Sequence, residues 1–175
     1  IDAHYVGVGY INTDSHLDIV TTDNDSASLT ILFGTGTGDF TVLPNHIPVG
    51  SGPVTVEIGD FNEDGKSDLV VTNEVSGTLS VLLGNADGTF ANAPGSPITV
   101  GTFPRSVAIG NFNGDSHSDL VVTNGGSDNV TILLGTGSGT FTNASGSPFA
   151  SGDAPFHAVI GYFNNDANAD LAIAM

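Results

Sequence analysis

The chain has 175 residues, with 19 Asp and Glu against 2 Lys and Arg and a formal net charge of −17, so neither nucleic acid nor an anionic membrane surface is an expected partner. Hydrophobic residues make up 39% of the chain and charged residues 12%, which allows a packed core and excludes an acidic disordered chain. The chain has no Cys, which excludes disulfides and thiolate metal sites, and no apolar run of about 18 residues, so we expect no membrane insertion.

Three sequence markers recur with one period and divide the chain into repeats. A glycine precedes an acidic loop four times, with steps of 50, 51 and 51 residues, at Gly9, Gly59, Gly110 and Gly161. Two further markers recur with the same spacing. One is a glycine after an apolar run, at Gly34, Gly84 and Gly135, and the other is an aromatic residue after a glycine-rich turn, at Phe40, Phe90 and Phe141. The spacing predicts units at residues 1–52, 53–103 and 104–154, and the first half of a fourth at 155–175.

Each unit is predicted to form one small antiparallel sheet of four strands. In the second unit we expect strands at residues 54–61, 68–72, 78–83 and 98–100, with turns at 73–77 and 84–88 and an irregular stretch from Thr89. These runs are short, rich in β-branched residues and bounded by Gly, Asn, Asp and Pro, and none has helical periodicity. The predicted fold is all-β, with about three and a half β-propeller blades that belong either to a larger propeller or to an oligomeric or fibrous assembly.

A nine-residue acidic loop follows the first predicted strand of every unit, at residues 10–18, 60–68, 111–119 and 162–170. Side-chain oxygens alternate at loop positions 3, 5 and 9, and also at position 1 in the second and third loops, while position 7 offers a backbone carbonyl; this is the pattern of a Ca²⁺ loop. The candidate ligands are Asp60, Asn62, Asp64, Lys66 and Asp68 in the second loop, Asn111, Asn113, Asp115, His117 and Asp119 in the third, Asn12, Asp14, His16 and Asp18 in the first, and Asn164, Asp166, Asn168 and Asp170 in the fourth.

Position 1 predicts an order of affinity for the ion. It is Asp60 in the second loop and Asn111 in the third, but Tyr10 and Tyr162 in the first and fourth, where a ring replaces an oxygen ligand. We therefore expect the second loop to bind most tightly, then the third, then the first and fourth equally. The alternative is that the loops are Asx-rich turns without an ion.

Position 6 supports the same order, because a left-handed backbone is expected there. The second loop has Gly65, whereas Ser15, Ser116 and Ala167 in the other loops are each expected to cost about 1 kcal/mol.

The segment from Gly59 to Val71 (GDFNEDGKSDLVV) resembles the FG-GAP/VCBS repeat, and the later Ser80 to Phe90 (SVLLGNADGTF) is typical of its bacterial form. The resemblance extends over essentially the whole chain. It implies a β-propeller of the type found at the N-terminus of integrin α subunits, with Ca²⁺ in the loop between the first two strands of each blade. The family has varied roles in adhesion, carbohydrate binding and as accessory domains of enzymes, so the fold does not settle the function.

The leading functional hypothesis is a secreted, non-enzymatic, calcium-binding module for adhesion, protein binding or self-assembly, with copies of itself or the rest of a longer propeller as partners. An extracellular setting is expected because cytosolic Ca²⁺ is too low for weak sites, and the chain, which begins at Ile1, is expected to be a mature product or a fragment. The alternatives are a lectin, with Tyr10, Tyr162, Phe103 or Phe156 stacking on sugars, and an accessory or catalytic domain of a secreted enzyme. The five His are expected in surface or turn positions, since none has a paired nucleophile or acid.

Overall fold

The computed structural model describes residues 3–175, and every regular element in that range is a β-strand. The first unit contains β1 (Ala3–Gly9), β2 (Asp18–Asp23), β3 (Ser28–Gly34), β4 (Phe40–Val42) and β5 (Ile47–Pro48). The second contains β6 (Pro53–Gly59), β7 (Asp68–Asn73), β8 (Thr78–Gly84), β9 (Phe90–Asn92) and β10 (Ile98–Thr99). The third contains β11 (Pro104–Gly110), β12 (Asp119–Asn124), β13 (Asn129–Gly135), β14 (Phe141–Asn143) and β15 (Phe149–Ala150), and the fourth β16 (His157–Gly161) and β17 (Asp170–Ala174). Residues 3–175 include no helix long and apolar enough to span a membrane.

Each of the first three units folds as one antiparallel sheet, which confirms the prediction of four-stranded blades. The fourth strand is split into two short segments, both paired with the third strand: β9 and β10 pair with β8, and the other two sheets are built alike. The irregular stretch predicted from Thr89 is therefore wrong in part, because β9 lies inside it. Between the two segments, Ser96 Oγ accepts a hydrogen bond of 2.9 Å from Val81 N, so a hydroxyl replaces the missing strand as acceptor.

The hydrophobic core lies between neighbouring sheets, as expected for propeller blades. The second strands β7 and β12 are buried along their whole length and share the sequence DLVVTN. Such a continuous apolar run is typical of a strand covered on both faces. Val56 and Val107, on the first strands of the second and third units, are each 1% exposed, whereas the equivalent Val6 is 54% exposed because no other described unit covers that side of the first sheet.

The first strands of the four units, β1, β6, β11 and β16, are called here the inner strands, and each contacts the next. Two glycines that precede acidic loops allow this close approach. A Cβ built on Gly9 would lie 2.8 Å from Ile58 Cδ1, and one on Gly110 would lie 2.7 Å from Ile160 Cδ1. Real Cβ atoms do not come this close, so the isoleucine of one unit fills the space that the glycine of the preceding unit leaves open.

A buried threonine near the end of each second strand links its own unit to the next. The Thr22 hydroxyl accepts a 3.0 Å hydrogen bond from Tyr5 N on its own inner strand and donates one of 3.0 Å to Val54 O on the following inner strand. Thr72 and Thr123 repeat this arrangement toward the third and fourth units, and all three are 0% exposed. In the fourth unit Ala174 occupies the position. These linking threonines fix where the inner strands begin relative to one another.

Candidate functional site

The acidic loops all lie at one end of the inner strands, between the first and second strand of each unit. The last residue of each loop is also the first residue of the second strand: Asp18, Asp68, Asp119 and Asp170. The other oxygen-bearing side chains of each loop are exposed or partly exposed, whereas Asp18, Asp68 and Asp119 are 0% exposed. The predicted ligands therefore fall into two environments.

The buried aspartate at position 9 holds three segments of its unit together. In the second unit, Asp68 Oδ2 accepts a 2.8 Å hydrogen bond from Phe61 N, and Oδ1 accepts one of 2.8 Å from Gly84 N at the end of β8. Asp18 and Asp119 make the same pair of contacts in their units. Position 9 thus has a structural role that the sequence reasoning, which treated it only as a metal ligand, missed.

The glycine that ends the third strand belongs to the same arrangement. A Cβ built on Gly84 would overlap the carbonyl oxygen of Ser67, and Gly34 and Gly135 meet the equivalent carbonyl oxygens in their units. The regular spacing of these glycines was the available signal for the contact, because a side chain there would push the third strand away from the aspartate.

Burial raises the pKa of the Asp68 carboxyl group, and the nearby charges of Asp60 and Asp64 raise it further, while the hydrogen bonds from Gly84 N and Phe61 N act in the opposite direction. A cation near these three carboxylates would favour their ionised forms.

The exposed oxygens of the second loop accept hydrogen bonds from the loop's own backbone. Asp60 Oδ1 and Oδ2 accept from Asp64 N at 3.1 Å and Gly65 N at 2.9 Å, and Asn62 Oδ1 accepts from Asp64 N at 3.2 Å. Asp64 Oδ1 accepts from Lys66 N at 3.0 Å, and Asp64 Oδ2 pairs with Lys66 Nζ at 2.9 Å. These are the Asx turns of the ion-free alternative, and they hold the oxygens in place without an ion.

The first, third and fourth loops share a variant of this network. The asparagine amide at position 3 donates to the aspartate at position 5, over 2.9 Å, 2.7 Å and 3.0 Å respectively, where the second loop uses Lys66. Hydrogen bonds from position 7 lower the pKa of the position-5 carboxyl group in every loop, namely Asp14, Asp64, Asp115 and Asp166. The position-5 aspartates are therefore ionised and exposed, which suits a cation ligand.

The expected backbone at position 6 is present in three loops and wrong in the fourth. Gly65, Ser15 and Ser116 have φ of +79°, +64° and +76°, so the two serines adopt the left-handed conformation predicted to cost energy. Ala167 is not left-handed; in that loop Asn165 has φ +65°. Position 4 is left-handed in the second and third loops too, at Glu63 and Gly114 with φ of +59° and +76°, so the fourth loop differs from them in lacking a left-handed residue at position 6.

The donor set of the second loop fits Ca²⁺ by its chemistry, since Asp60, Asn62, Asp64 and Asp68 supply only oxygen. Within residues 3–175 the structure gathers no group of three or more His, Asp or Glu side chains that is compact enough to hold a metal ion. A bound ion would therefore depend on asparagine and backbone oxygens in addition to the carboxylates. The rings of Tyr10 and Tyr162 are 56% and 66% exposed.

A second candidate site lies at the opposite end of the inner strands. Here all four units contribute to one cavity of about 420 Å³, called here the inner-strand cavity. Its lining residues are His4 and Tyr5, Val54 and Thr55, Arg105 and Ser106, Phe156 and His157, together with Glu74. The linking threonines donate hydrogen bonds to the carbonyl oxygens of Val54, Arg105 and Phe156 and so position the cavity wall.

The polar groups of the inner-strand cavity are partly paired with one another. Ser106 Oγ lies 3.0 Å from His157 Nδ1, and the Arg105 guanidinium lies over the Phe156 ring, 5.3 Å from its centre. Arg105 Nε is buried without a hydrogen-bond partner, and its ion-pair contact, Glu74 Oε1, is 3.6 Å away. The sequence predicted surface or turn positions for the histidines, and not that His4 and His157 would share a cavity. The available signal was the chain's single arginine, Arg105, which aligns with the residue before His157 when the units are superposed in sequence.

Comparisons with known proteins agree with this architecture. The model of the FG-GAP-like repeat matches residues 11–71, 60–122 and 111–173. The crystal structure of BBS1N in complex with ARL6DN, soaked with lead, is similar with a TM-score of 0.63 and 18% identity, over 97% of this chain and 49% of that chain. A proposed 6-phosphogluconolactonase from Bacteroides uniformis has a TM-score of 0.63 and 19% identity, over 85% of this chain and 45% of that chain.

At such identities the likeness concerns the fold alone, and this chain spans about half the length of both solved structures. A search of curated proteins found no significant match.

Proposed function

The chain belongs to the FG-GAP-like repeat family, and we propose that it is a calcium-binding β-propeller repeat module that acts outside the cell in adhesion, protein binding or self-assembly. The observation that carries the calcium proposal is the second loop, where the oxygens of Asp60, Asn62 and Asp64 are held by backbone hydrogen bonds beside the buried Asp68. Loops that are already ordered lose less entropy when an ion binds.

Calcium, when bound, supplies positive charge to a loop whose carboxylates otherwise repel one another. The chain's own residues do the rest. Asp68 anchors the loop to the third strand through Gly84 N, and Lys66 N keeps the Asp64 carboxylate turned into the loop. An ion that binds the folded loop and not the unfolded chain adds to the free energy of unfolding by mass action.

The test is isothermal titration and thermal unfolding of the whole chain with Ca²⁺ and with a chelator. We expect Ca²⁺ to raise the melting temperature and Asp60→Asn to weaken the tightest site about tenfold, because the variant gives the second loop the position-1 residue of the third. Asp153→Asn is the matched control, since it removes one exposed carboxylate outside the loops. Unchanged melting with the chelator and no heat of binding would show that the loops are ion-free turns.

Self-assembly is tested by native mass under the same two conditions. Val6 and Val8 on the inner strand β1 are 54% and 58% exposed. Their equivalents in the later units are covered by the preceding unit, so this face of the first unit could receive another copy. A mass that is a multiple of 17.7 kDa in Ca²⁺ would support assembly through such faces. A monomer at all concentrations would leave binding to another protein as the remaining role.

A further inference from the structure

We propose that the inner-strand cavity binds a sugar acid, with the Arg105 guanidinium as the partner of the ligand's carboxylate. This site is independent of the calcium loops, which lie at the other end of the inner strands. Its volume of about 420 Å³ lies in the range of small-molecule sites, roughly 300 to 1,000 Å³.

The first argument is the way in which the units differ. Two aligned positions of each unit line the cavity. The first is His4, Val54, Arg105 or Phe156 and the second Tyr5, Thr55, Ser106 or His157, so no two units are alike. By contrast β7 and β12 have the same six residues. Packing within a repeat favours the same residue in each unit, so the cavity wall does not follow the requirements of the repeat. It places the chain's single arginine and two of its five histidines around one space.

The second argument is that Arg105 has unused hydrogen-bonding capacity. Its Nε is buried and has no hydrogen-bond partner, and Glu74 Oε1 at 3.6 Å is too far for a hydrogen bond. Nε itself is covered and lies against Gly125, so a ligand in the cavity would meet the terminal amino groups of the guanidinium. The Arg105 side chain is 36% exposed and makes no hydrogen bond within residues 3–175. The Phe156 ring lies against the guanidinium and restricts its orientation. A carboxylate is the acceptor whose two oxygens match the planar guanidinium.

The net charge of −17 opposes an anionic ligand, and distance decides how strongly. The Debye length is about 8 Å at physiological salt, so exposed carboxylates of the distant loops are largely screened at the cavity. Glu74 and Glu57 are the nearby opposing charges: Glu74 Oε1 lies 3.6 Å from Arg105 Nε, and Glu57 accepts the hydrogen bond of the Tyr5 hydroxyl. The direct contact with Arg105 therefore dominates over the general field.

The rest of the wall favours a polyhydroxylated ligand over a purely apolar one. Tyr5, Thr55, Ser106 and His157 line the cavity. The Thr55 hydroxyl donates a 2.7 Å hydrogen bond to Arg105 O and the Tyr5 hydroxyl one of 3.4 Å to Glu57 Oε1, while Ser106 and His157 form a pair of 3.0 Å, so the wall offers ligand hydroxyls the remaining lone pairs of these hydroxyls as acceptors. Phe156 is 60% exposed and offers a flat apolar surface to the C–H face of a sugar ring. Carboxylate, hydroxyls and a ring face together describe a uronic acid.

The experiment compares D-galacturonate with D-galactose, which differ at the carboxylate, by chemical-shift titration of the ¹⁵N-labelled chain at fixed Ca²⁺ concentration. We expect galacturonate to shift amide signals of residues 54–55, 105–106 and 156–157, and galactose to bind at least about tenfold more weakly. Equal binding of the two sugars, no binding of either, or shifts confined to the acidic loops would each overturn the proposal.

Two variants of equal charge change separate the cavity from the general charge of the chain. Arg105→Gln should weaken galacturonate binding at least about tenfold while leaving galactose unaffected. Asn92→Asp makes the same change of net charge at an exposed position of strand β9, outside the cavity and the acidic loops, and should leave galacturonate binding unchanged. An equal loss in both variants would mean that net charge, not a site, governs binding. Each variant is first shown to unfold cooperatively, so loss of binding is not loss of fold.

Discussion

The two ends of the inner strands follow opposite rules. At the loop end, the same aspartate, the same backbone hydrogen bonds and the same glycine recur in the first three units. At the cavity end, the linking threonine recurs in the first three units, but the residues that line the cavity differ from unit to unit at both aligned positions. The repeat thus keeps what each unit needs to fold, and differs where the four units together enclose a space.

The largest expected effect comes from the loop end. Asp68→Asn replaces one acceptor oxygen with an amide that faces a backbone N–H, and we expect it to lower the free energy of unfolding by about 2 kcal/mol. This figure already includes the free energy gained because the neutral Asn no longer buries a charge at this position. Burial of that charge is also what raises the pKa of Asp68. Chemical denaturation with a chelator present measures the effect without any contribution from Ca²⁺.

The fourth unit supplies the matched control for that substitution. Asp170 is only partly buried and accepts one backbone hydrogen bond, of 2.7 Å from Phe163 N. Asp170→Asn should therefore cost less than about 1 kcal/mol. If both substitutions had the same effect, the buried contact to Gly84 would not be what stabilises the unit.

The next effect concerns the linking threonines, which serve the cavity end. Thr72→Val keeps the shape of the side chain but leaves the buried Thr55 N without its 2.9 Å acceptor, and we expect a loss of about 1 to 2 kcal/mol. Thr99→Val, on the exposed edge strand β10, is the control and should change stability by less than about 0.5 kcal/mol. A negligible effect of Thr72→Val would contradict the structural role of these hydroxyls.

A smaller, pH-dependent effect is expected between the two ends, at Glu57. Burial raises the pKa of this carboxyl group, against the opposing effects of the hydrogen bond from Tyr5 and the charge of His157. Because the folded-state pKa is above the unfolded value, Glu57 favours folding most below about pH 4.5 and this contribution is lost as pH rises through the folded pKa.

Glu57→Gln should therefore raise the melting temperature at pH 7 by a few degrees, roughly 1 to 3 °C, and make no difference near pH 4. Asp153→Asn removes the same charge from an exposed position and controls for net charge. A gain that persists unchanged at pH 4 would rule out titration of Glu57 as its cause.

The smallest effect on stability is expected at the cavity wall. The Arg105 side chain is 36% exposed, and at such a position its ion pair with Glu74 and its contact with Phe156 are each worth about 0.5 kcal/mol. Arg105→Gln should leave the free energy of unfolding within about 1 kcal/mol of the parent chain. A larger loss would make Arg105 a residue of the fold and remove the contrast between the two ends.

The strand pattern and the blade count could be predicted because they repeat. Alternating apolar residues in β6 and β8, the fixed glycine spacing and the acidic loops all agree, and periodic signals of this kind are local. The split of the outer strand was missed because β9 and β10 have three and two residues, too few for a period, and because the hydroxyl of Ser96 replaces a backbone acceptor between them.

The acidic loops could be predicted from the sequence and the inner-strand cavity could not, because only the loops are formed by residues that are close together in the chain. The loop oxygens occupy adjacent positions in the sequence, so their spacing was informative, although the ion itself stays a prediction. The second role of Asp68 depends on Gly84, sixteen residues away, and the inner-strand cavity joins residues of four units. The first of these contacts is set by the pairing of β7 with β8, and the second by how neighbouring sheets pack, so neither follows from adjacent residues alone.

The linking threonines also give the array a direction. Each hydroxyl reaches from its own sheet to the backbone of the following one, and Ala174 has no hydroxyl with which to continue the series. In the language of nearest-neighbour models of repeat proteins, the hydrogen-bonding part of the coupling between two units is encoded by the earlier unit. The cost of losing one threonine should therefore appear partly as faster amide hydrogen exchange in the next sheet along the chain, so that damage in one blade is reported by its successor.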